Sequence, residues 1–358
     1  MVKYTIRRLI QAIPTLFGIT LFSFALISAI PGGVVRALTF DPKMTPQQRE
    51  RIARQLGVDD PWPIQYVRWL IGDQWRMIDT DDDGVPDTQG TRLGILRGDF
   101  GRSIAFRRPV IDVISERIPA TLELGMSSLF FSILLGVPIG IWAAVKRGRW
   151  FDTITRVMAV VFSAIPVFWL GLILILLFGR LLPNWLHDLN PVLFPGTSPI
   201  LPMGSRAPST LLGGYPPIWA RLEYLILPTF VLAAGGIAGY SRYLRASMLD
   251  VIGQDYIRTA KAKGLSAREV WFRHGARNAL IPLATFLGPA ITGLLGGAAI
   301  TEKIFSWPGL GRLAVDATTQ LDYPVVMAVV IMTAVATILG YIVSDILYAL
   351  IDPRIRFS

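Results

Sequence analysis

The chain alternates between long apolar runs and shorter polar segments. The first apolar run covers residues 9–30 and follows a short basic start that contains Lys3, Arg7 and Arg8. A helical run of this length is sufficient to cross the hydrocarbon core of a bilayer. It is also longer than the apolar core of a secretory signal peptide. We therefore predict that residues 1–30 comprise the N-terminus and an uncleaved first transmembrane helix.

Five further apolar runs predict five more transmembrane helices. We place these at about residues 122–145, 157–177, 225–244, 279–300 and 325–347. The short segments that follow the second and fourth predicted helices are rich in Lys and Arg, as is typical of cytoplasmic loops. The pattern therefore predicts an all-α membrane protein with six transmembrane helices and with both termini in the cytoplasm.

Composition agrees with this pattern and excludes other classes. Hydrophobic residues make up 52% of the chain and charged residues 17%, with a mean hydropathy of +0.50. These values are too apolar for an ordinary soluble domain. The net charge of +10 lies beside the apolar runs and not in a basic patch interleaved with aromatic residues, so nucleic acid is excluded as a partner. Membrane lipid is the partner that the composition predicts.

Residues 31–120 interrupt the apolar pattern and are rich in charges, Pro, Gly and Trp. We predict a small water-exposed domain here, on the external side between the first two helices. Thr45 and Pro46 resemble the start of a helix, with Thr as the N-cap and Pro at the first helical position, and Gly57 would end that helix. Residues 121–358 form the predicted transmembrane core.

An acidic insertion at residues 79–87 of the external domain has the spacing of a calcium-binding loop. Such a loop supplies oxygen ligands from positions 1, 3, 5, 7 and 9, with Gly at position 6. The candidate ligands are Asp79, Asp81, Asp83, the carbonyl of Val85, and Asp87, with Gly84 at the turn. Position 12 is Gly90 where a Glu would close the site. A structural Ca²⁺ site and an acidic surface loop without a cation both remain open.

A polar, basic segment at residues 255–282 separates the fourth and fifth predicted helices. Its first half has an apolar stripe of Tyr256, Ile257, Ala260 and Leu265, and Gly264 predicts the end of a first short helix. Ser266 and Glu269 have capping-box spacing and predict the start of a second helix. Two short helices would form a rigid projection for another protein to bind. A solvated basic loop that only fixes topology is the alternative.

The segment Arg258–Gly264, followed by Leu280-Ile281-Pro282, resembles the EAA loop of ABC importer permeases. It differs from the general pattern at Arg258 and Thr259, and by a longer gap between Gly264 and Pro282. Both differences are usual in the dipeptide, oligopeptide and nickel importers. The chain is similar to that subfamily in three further stretches. These are Asp255–Ala260, Ile304–Gly311 and Asp352–Arg354.

This resemblance implies the function, the partners and two sites. The chain would form half of the translocation pathway of an ATP-driven peptide importer in a bacterial or archaeal plasma membrane. It would pair with a second related permease, two ATP-binding subunits and an extracytoplasmic solute-binding protein. The residues implied for coupling to an ATP-binding subunit are Asp255, Tyr256, Arg258, Thr259, Ala260, Lys261, Gly264 and Leu265. The residues implied for an external gate are Trp307, Pro308, Gly309 and Leu310.

The sequence contains no motif for catalysis by this chain. It lacks the Gly-x-x-x-x-Gly-Lys-Ser/Thr phosphate loop, so ATP and Mg²⁺ would bind only to partner subunits. His187 and His274 lack metal-ligand spacing, and no cofactor is expected in the core. Glu123 and Asp345 lie near the ends of predicted helices, where a structural role is favoured over contact with substrate.

Two other classes of protein remain as alternatives at this point. One is a self-contained secondary transporter or channel for a small polar solute, which would require a polar relay near mid-membrane. The other is a membrane-anchored receptor or scaffold that uses the external domain alone. It would leave the basic segment at residues 255–282 without a role. The identity of the transported solute does not follow from the sequence.

Reporter fusions test the predicted topology. A reporter that is active only in the cytoplasm should be active after Arg149 or Arg268, because both lie in basic segments. The same reporter should be inactive near Asp87 or Ser205. Exchanged activities at any of these four positions would contradict the six-helix topology.

Overall fold

The computed structural model describes residues 2–29, 60–78, 88–193, 196, 198–207, 218–280, 283, 290, 293 and 298–351. These residues belong to two compact units. The N-terminal unit comprises residues 2–118 and 313–336, and the core unit comprises residues 119–312 and 337–358, together with Met1. Three sequence predictions lie outside the described residues. They are the helix predicted near residues 45–56, the candidate calcium loop at 79–87 and most of the fifth predicted helix, including Gly296 and Gly297.

The N-terminal unit contains one long helix and several short elements. Its elements are α1 (Val2–Ser28), α2 (Trp62–Ile71), the antiparallel pair β1 (Met77–Ile78) and β2 (Thr88–Gln89), a 3-10 turn (Ile95–Arg97) and α3 (Val110–Ser115). A turn lies around Asp99. The Oδ1 atom of Asp99 accepts a hydrogen bond from Gly101 N at 2.9 Å, and both Gly98 and Gly101 have positive φ.

A buried aspartate organises the other part of the N-terminal unit. Asp322 is fully buried and directly precedes the long helix that begins at Tyr323. Its carboxylate accepts hydrogen bonds from the Ser103 hydroxyl and from the backbone N–H groups of Ile104 and Ala105. The carboxylate is therefore stabilised by donors from a chain segment more than 200 residues away.

The core unit is built from helices of very different length. Those that begin within it are α4 (Ile118–Val145), α5 (Trp150–Ala164), α6 (Val167–Leu176), α7 (Leu182–Leu189), α8 (Ile218–Ile252), α9 (Asp255–Ala262), α10 (Ala276–Ala279) and α11 (Ala299–Ile304), followed by α12 (Leu310–Thr319). The last helix is α13 (Tyr323–Ile351). Single π-helical turns occur at Leu177–Leu181 and Glu269–Gly275.

Small residues bring α4 and α8 into close contact. A Cβ atom on Gly140 would collide with the backbone of Ser241 and with Leu244, and one on Gly236 would collide with the side chain of Ser132. The Ser132 hydroxyl, besides bonding within α4, donates to the Ala233 carbonyl of α8 at 3.3 Å. Small side chains at such positions let helix backbones approach closely, which is a main source of stability between helices in a membrane.

The third predicted helix is divided in the structure. We predicted one helix over residues 157–177, whereas α5 ends at Ala164 and α6 begins at Val167. The ring of Pro166 disfavours helical conformation at the preceding residue. Ile165 accordingly has ψ 124, in the extended region. The prediction of one continuous helix was wrong for this reason.

Five stretches among the described residues are long and apolar enough to cross a membrane. They are Ile6–Ser28, Val110–Val145, Val167–Leu189, Arg221–Ile252 and Tyr323–Ser344. The multi-pass, all-α architecture expected from the sequence is therefore confirmed. The count of six crossings stays a prediction, since most of residues 279–300 lie outside the description.

A buried ion pair joins α5 to α8. Asp152 is 1% exposed, and its carboxylate accepts hydrogen bonds from Nε and an Nη atom of Arg245 at 2.5 and 2.9 Å. The N–H group of Gly148 donates to the same carboxylate at 2.9 Å. The hydrogen bond from Arg245 lowers the pKa of Asp152 from 3.8 to about 2, against the effect of burial. Asp152 is therefore ionised at every physiological pH.

Replacing Asp152 tests this link. Asp152→Asn leaves the Arg245 charge without its counter-ion, so we expect a loss of about 2–3 kcal/mol in stability. We take the low end of the range for buried pairs because the Arg245 side chain is 20% exposed. The measurement is thermal unfolding of the detergent-solubilised protein.

Arg156→Gln is the matched control, because Arg156 is 54% exposed and lies 3.6 Å from the same carboxylate. Arg156→Gln should lower the free energy of unfolding by less than about 1 kcal/mol. Because the pKa of Asp152 is lowered in the folded state, its contribution to the free energy of unfolding is complete above pH 3.8. This contribution is lost as the pH falls through about 2. Equal losses in the two variants would contradict a special role for Arg245.

Candidate functional site: the coupling segment and the external segment

Helix α9 has the place and the length predicted for the first cytoplasmic helix. Ile257 and Ala260 are buried and form a small cluster with Val270, against Val251 near the end of α8 and Trp271. The apolar stripe predicted from the sequence is thus only partly correct. Tyr256 and Leu265, which belonged to that stripe, are 39% and 37% exposed.

Gly264 ends α9 in the way the sequence predicts. Its φ of +75 lies in the left-handed region, which favours glycine. Gly264 N donates to Lys261 O at 2.9 Å and Leu265 N donates to Ala260 O at 3.4 Å. This pair of hydrogen bonds is a Schellman motif, which satisfies the last carbonyls of the helix.

The second helix of the segment begins with the predicted capping box. Ser266 N donates to the Glu269 carboxylate at 3.1 Å, and Glu269 N donates to the Ser266 hydroxyl at 3.3 Å. The Ser266 hydroxyl also donates to the Glu269 carboxylate at 2.8 Å, and this bond, followed by the one from Ser266 N, lowers the pKa of Glu269. The Lys261 ammonium lies 4.6 Å from the centre of the Trp271 ring, which is a cation–π contact between the two helices.

The predicted coupling segment, residues 255–282, is packed directly onto the long helices of the core unit in its described part. Leu244 and Met248 of α8 form one buried cluster with Ile141 and Ala144 of α4 and with α10 residues Ala276 and Ala279. The Ser247 hydroxyl adds a hydrogen bond to Ala279 O at 3.0 Å. The segment is therefore part of the same packed body as α4 and α8.

The remaining predicted coupling residues lie on the outer surface of α9. Asp255, Arg258, Thr259 and Lys261 are exposed, and the ion pair between Asp255 and Arg258 is a surface pair at 3.4 Å. An exposed pair of this kind contributes little to stability. The structure brings all eight predicted coupling residues into one helix and its cap.

The external segment at Trp307–Leu310 is not an exposed interfacial turn. Trp307 is fully buried beside Ala120, Leu124 and Leu225, and its indole N–H donates to Ala120 O at 2.8 Å. Trp307 thus fixes the segment to α4 and α8. Gly309 and Leu310 are buried, and Pro308 is half-buried.

Glu302 is the central polar group of this segment, and the sequence analysis missed it. It is 1% exposed, and its carboxylate accepts hydrogen bonds from Arg312 N at 2.7 Å and from the Thr121 hydroxyl at 3.2 Å. Thr121 in turn accepts a hydrogen bond from Leu310 N at 2.7 Å. Burial raises the pKa of Glu302, while these donors act in the opposite direction.

The two glycines of the segment make room for Glu302. A Cβ atom on Gly309 would collide with the Glu302 carboxylate, and one on Gly311 would lie 2.7 Å from the backbone of Ala299. The carboxylate can therefore reach the first N–H groups of α12, where a negative charge is favoured. The sequence signal that could have identified Glu302 is a Glu in an otherwise apolar segment shortly before a Pro-Gly-x-Gly turn.

Ser306 lies between two buried aromatic residues and has a φ of +50. Phe305 belongs to a buried cluster with Leu170, Leu174 and Leu227, whereas Trp307 belongs to the cluster with Ala120. The left-handed conformation at Ser306 thus reverses the chain between two buried side chains.

Glu123 has the structural role that the sequence favoured. Its Oε2 atom accepts a hydrogen bond from Arg206 Nε at 2.7 Å and one from an Arg221 Nη atom at 3.2 Å. All three side chains are mostly buried. The two arginines were not predicted as partners, because they lie about 80 and 100 residues further along the chain.

Within the described part of the chain, no group of three His, Cys, Asp or Glu side chains could hold a metal ion. The calcium candidates Asp79, Asp81, Asp83, Val85 and Asp87 lie outside it, so their role stays a prediction. The side chain of Asp345 is likewise not described.

The described helices, with two short helices in a polar segment after α8, define a multi-pass α-helical membrane protein. Two family models match the chain. "Binding-protein-dependent transport system inner membrane component" matches residues 136–357, and its N-terminal companion model matches residues 1–125. The chain therefore belongs to the family of inner membrane permeases of binding-protein-dependent transport systems.

Curated relatives match the chain over its whole length. It is 38% identical to the oligopeptide transport system permease protein AppB of Bacillus subtilis, over 100% of both chains. It is 36% identical to the dipeptide transport system permease protein DppB of Escherichia coli K12, over 99% of both chains. It is also 36% identical to the glutathione transport system permease protein GsiC of the same strain, over 100% of both chains.

A solved chain of the MetNI methionine ABC transporter has a TM-score of 0.45 at 15% identity, covering 68% of this chain and 97% of that chain. A likeness at this level supports no argument about this chain.

Family membership confirms the resemblance found in the sequence and resolves the alternatives. The chain is a multi-pass inner membrane permease subunit, and neither a self-contained transporter nor a receptor scaffold. In this family the permease is not the catalytic subunit, and ATP is hydrolysed by partner subunits.

Thr121 provides a test of how the external segment is held. Thr121→Val removes the acceptor of Leu310 N and one donor to Glu302 while keeping the side-chain volume. We expect a loss of about 2–3 kcal/mol, because the buried Leu310 N–H would be left unsatisfied and Glu302 would lose a donor. Thr121→Ser keeps the hydroxyl and removes one methyl group, at a cost of about 1 kcal/mol. Thermal unfolding in detergent compares the two variants, and a Val variant as stable as the Ser variant would contradict this account.

Proposed function

We propose that this chain is one of two permease subunits of an ABC importer that carries peptides. The relatives in the comparison are named for oligopeptides, dipeptides and glutathione, and these solutes share a peptide backbone. The complex would contain a second related permease, two ATP-binding subunits and an extracytoplasmic solute-binding protein. Both termini of the chain would be cytoplasmic, as the distribution of basic residues predicts.

The single observation that carries this proposal is the outer face of α9. Tyr256, Arg258, Thr259 and Leu265 are exposed on a short helix whose other face is buried. Exposed aromatic, aliphatic and Arg side chains on a rigid support are typical of protein interfaces. We propose that this face, from Asp255 to Leu265, inserts into a cleft of an ATP-binding subunit.

The packing of α9 supports a mechanism of coupling. Ile257 and Ala260 bind α9 to Val251 of α8, and α8 is joined to α5 by Arg245 and Asp152. A movement of the ATP-binding subunits would therefore move α9, α8 and α5 together. Rigid packed elements transmit such displacements better than flexible loops do.

The external segment would then act as a gate that moves with the helices beneath it. Trp307 and Leu310 are hydrogen-bonded to α4 residues Ala120 and Thr121. We propose that Trp307–Leu310 closes the external end of the pathway and opens it by moving together with α4 and α8, and not as a separate flap.

A structural Ca²⁺ ion in the 79–87 insertion is not needed for this function. The comparisons give it no support, and family membership implies no catalytic cofactor in this subunit. It remains a hypothesis from the spacing of the aspartates.

Charge reversal at Arg258 tests the coupling proposal. Arg258 is 75% exposed, whereas Lys261 contacts Trp271, so Arg258 is the cleaner site for a substitution. In the reconstituted complex, Arg258→Glu should lower peptide uptake by about tenfold or more, which corresponds to about 1.4 kcal/mol of lost interface energy. ATP hydrolysis should persist without transport, or the ATP-binding subunits should dissociate.

Two further substitutions sharpen this experiment. Arg149→Glu makes the same charge change at an exposed residue outside the coupling segment and should leave uptake unchanged. Gly264→Val should uncouple ATP hydrolysis from peptide uptake. Gly264→Asn should not, because Asn tolerates the left-handed conformation of this cap. Normal uptake by an assembled Arg258→Glu complex would show that the coupling assignment is wrong.

A further inference from the structure

Helix α2 packs against the middle of α1, although it belongs to the segment predicted to be water-exposed. The hydroxyls of Tyr66 and Thr20 are hydrogen-bonded at 2.9 Å, and Tyr66 is 5% exposed. The Phe24 ring of α1 lies 5.4–5.9 Å from the rings of Trp62, Tyr66 and Trp69. An aromatic cluster thus holds α2 along the side of α1.

The position of Thr20 sets the depth of this contact. The apolar span of α1 covers Ile6–Ser28, and Thr20 lies eight residues before its end. At a rise of 1.5 Å per residue, this is about 12 Å along the helix axis. The hydrocarbon core of a bilayer is about 30 Å thick, so a span of this length fills it. The Tyr66 hydroxyl is therefore at the depth of the acyl chains, whereas Phe24 lies about 6 Å from the end of the span, closer to the headgroups.

The outer surface of α2 has the composition of a membrane interface. Trp62, Val67 and Ile71 are 38%, 38% and 43% exposed, and Trp75 just beyond the helix is 56% exposed. Trp is enriched where a membrane meets water, because its ring is apolar and its N–H is polar. A short helix with such a face is suited to the membrane interface.

The charges of this region are arranged for an environment of low polarity. Arg68 is the only charged residue within α2, and its side chain is 6% exposed. It forms ion pairs with Asp60 at 2.6 Å and with Asp73 at 3.2 Å. A guanidinium group near lipid is costly unless it is paired, and here two carboxylates pair it.

We propose that α2 is an interfacial helix that lies in the leaflet surrounding the C-terminal half of α1 and binds phospholipid through Trp62, Val67 and Ile71. The lipid-facing surface of α1 continues onto α2, since Phe17 and Phe22 of α1 are also exposed. With a cytoplasmic N-terminus this is the external leaflet. Residues 60–75 thus anchor the external domain at the membrane surface.

Site-directed spin labelling of the assembled transporter tests this proposal. The chain contains no cysteine, so Val67→Cys and Ile71→Cys provide unique labelling sites. The complex is reconstituted in phospholipid nanodiscs, and collision rates of the nitroxide with oxygen and with a water-soluble nickel chelate are measured. Ile13→Cys is the lipid reference, because Ile13 is 67% exposed within the span of α1. Thr91→Cys, at an exposed position of the same unit, is the water reference.

Lipid contact predicts a high ratio of oxygen to nickel collisions at positions 67 and 71, close to that at position 13. A ratio like that at position 91 would show that the face is in water and would overturn the proposal. Low collision rates with both reagents would show that a protein covers the face, and would also overturn it. Positions 67 and 71 lie one turn apart, so either labelled variant that retains uptake is sufficient. The result does not depend on the cargo or on Arg258, so this proposal can fail while the proposed function stands.

Discussion

Several charged side chains that leave water in the described part of this protein are compensated by partners from distant parts of the chain. In the core unit, Asp152 is neutralised by Arg245 and Glu123 by two arginines. In the N-terminal unit, Asp322 is held by a hydroxyl and two backbone N–H groups. An isolated charge would be very costly in a membrane, so each compensation restricts which segments can pack together. An apolar helix surface can pack against many others, whereas each of these polar contacts requires one particular partner.

Close helix packing adds the second restriction. Without a hydrophobic driving force between helices in lipid, contact area and hydrogen bonds decide which faces meet. Gly140 and Gly236 place α4 and α8 in near contact, and Ser132 adds a hydrogen bond across the interface. The same helices hold Trp307 at one end and Ala276 and Ala279 of α10 at the other. One pair of helices thus supports both the external segment and the coupling segment.

Local signals predicted the local structure well. The Schellman cap at Gly264 and the capping box at Ser266 each depend on a few adjacent residues. The helix end and the helix start at these positions were both correctly predicted. The break before Pro166 was missed because apolar periodicity continues across it, although the proline itself was a local signal.

The contacts of Asp152 and Glu302 could not be predicted from the sequence. Their partners Arg245 and Thr121 lie 93 and 181 residues away, and no short-range pattern specifies such pairs. The buried face of α9 was predicted only in part for a related reason: Ile257 and Ala260 are buried, whereas Tyr256 and Leu265 are exposed. Which apolar residues of a short helix are buried depends on the body to which it binds, here Val251 and Trp271.

Helix α9 has only eight residues, fewer than an isolated helix needs for stability in water. It keeps its shape because Ile257 and Ala260 are buried against the end of α8. A synthetic peptide of residues 255–265 would therefore be largely unfolded and would be a poor competitor of the intact subunit. To transplant the element into another scaffold, a designer would have to transfer Val251, Val270 and Trp271 with it. The face that an ATP-binding subunit would recognise comes from one chain segment, but its shape depends on three.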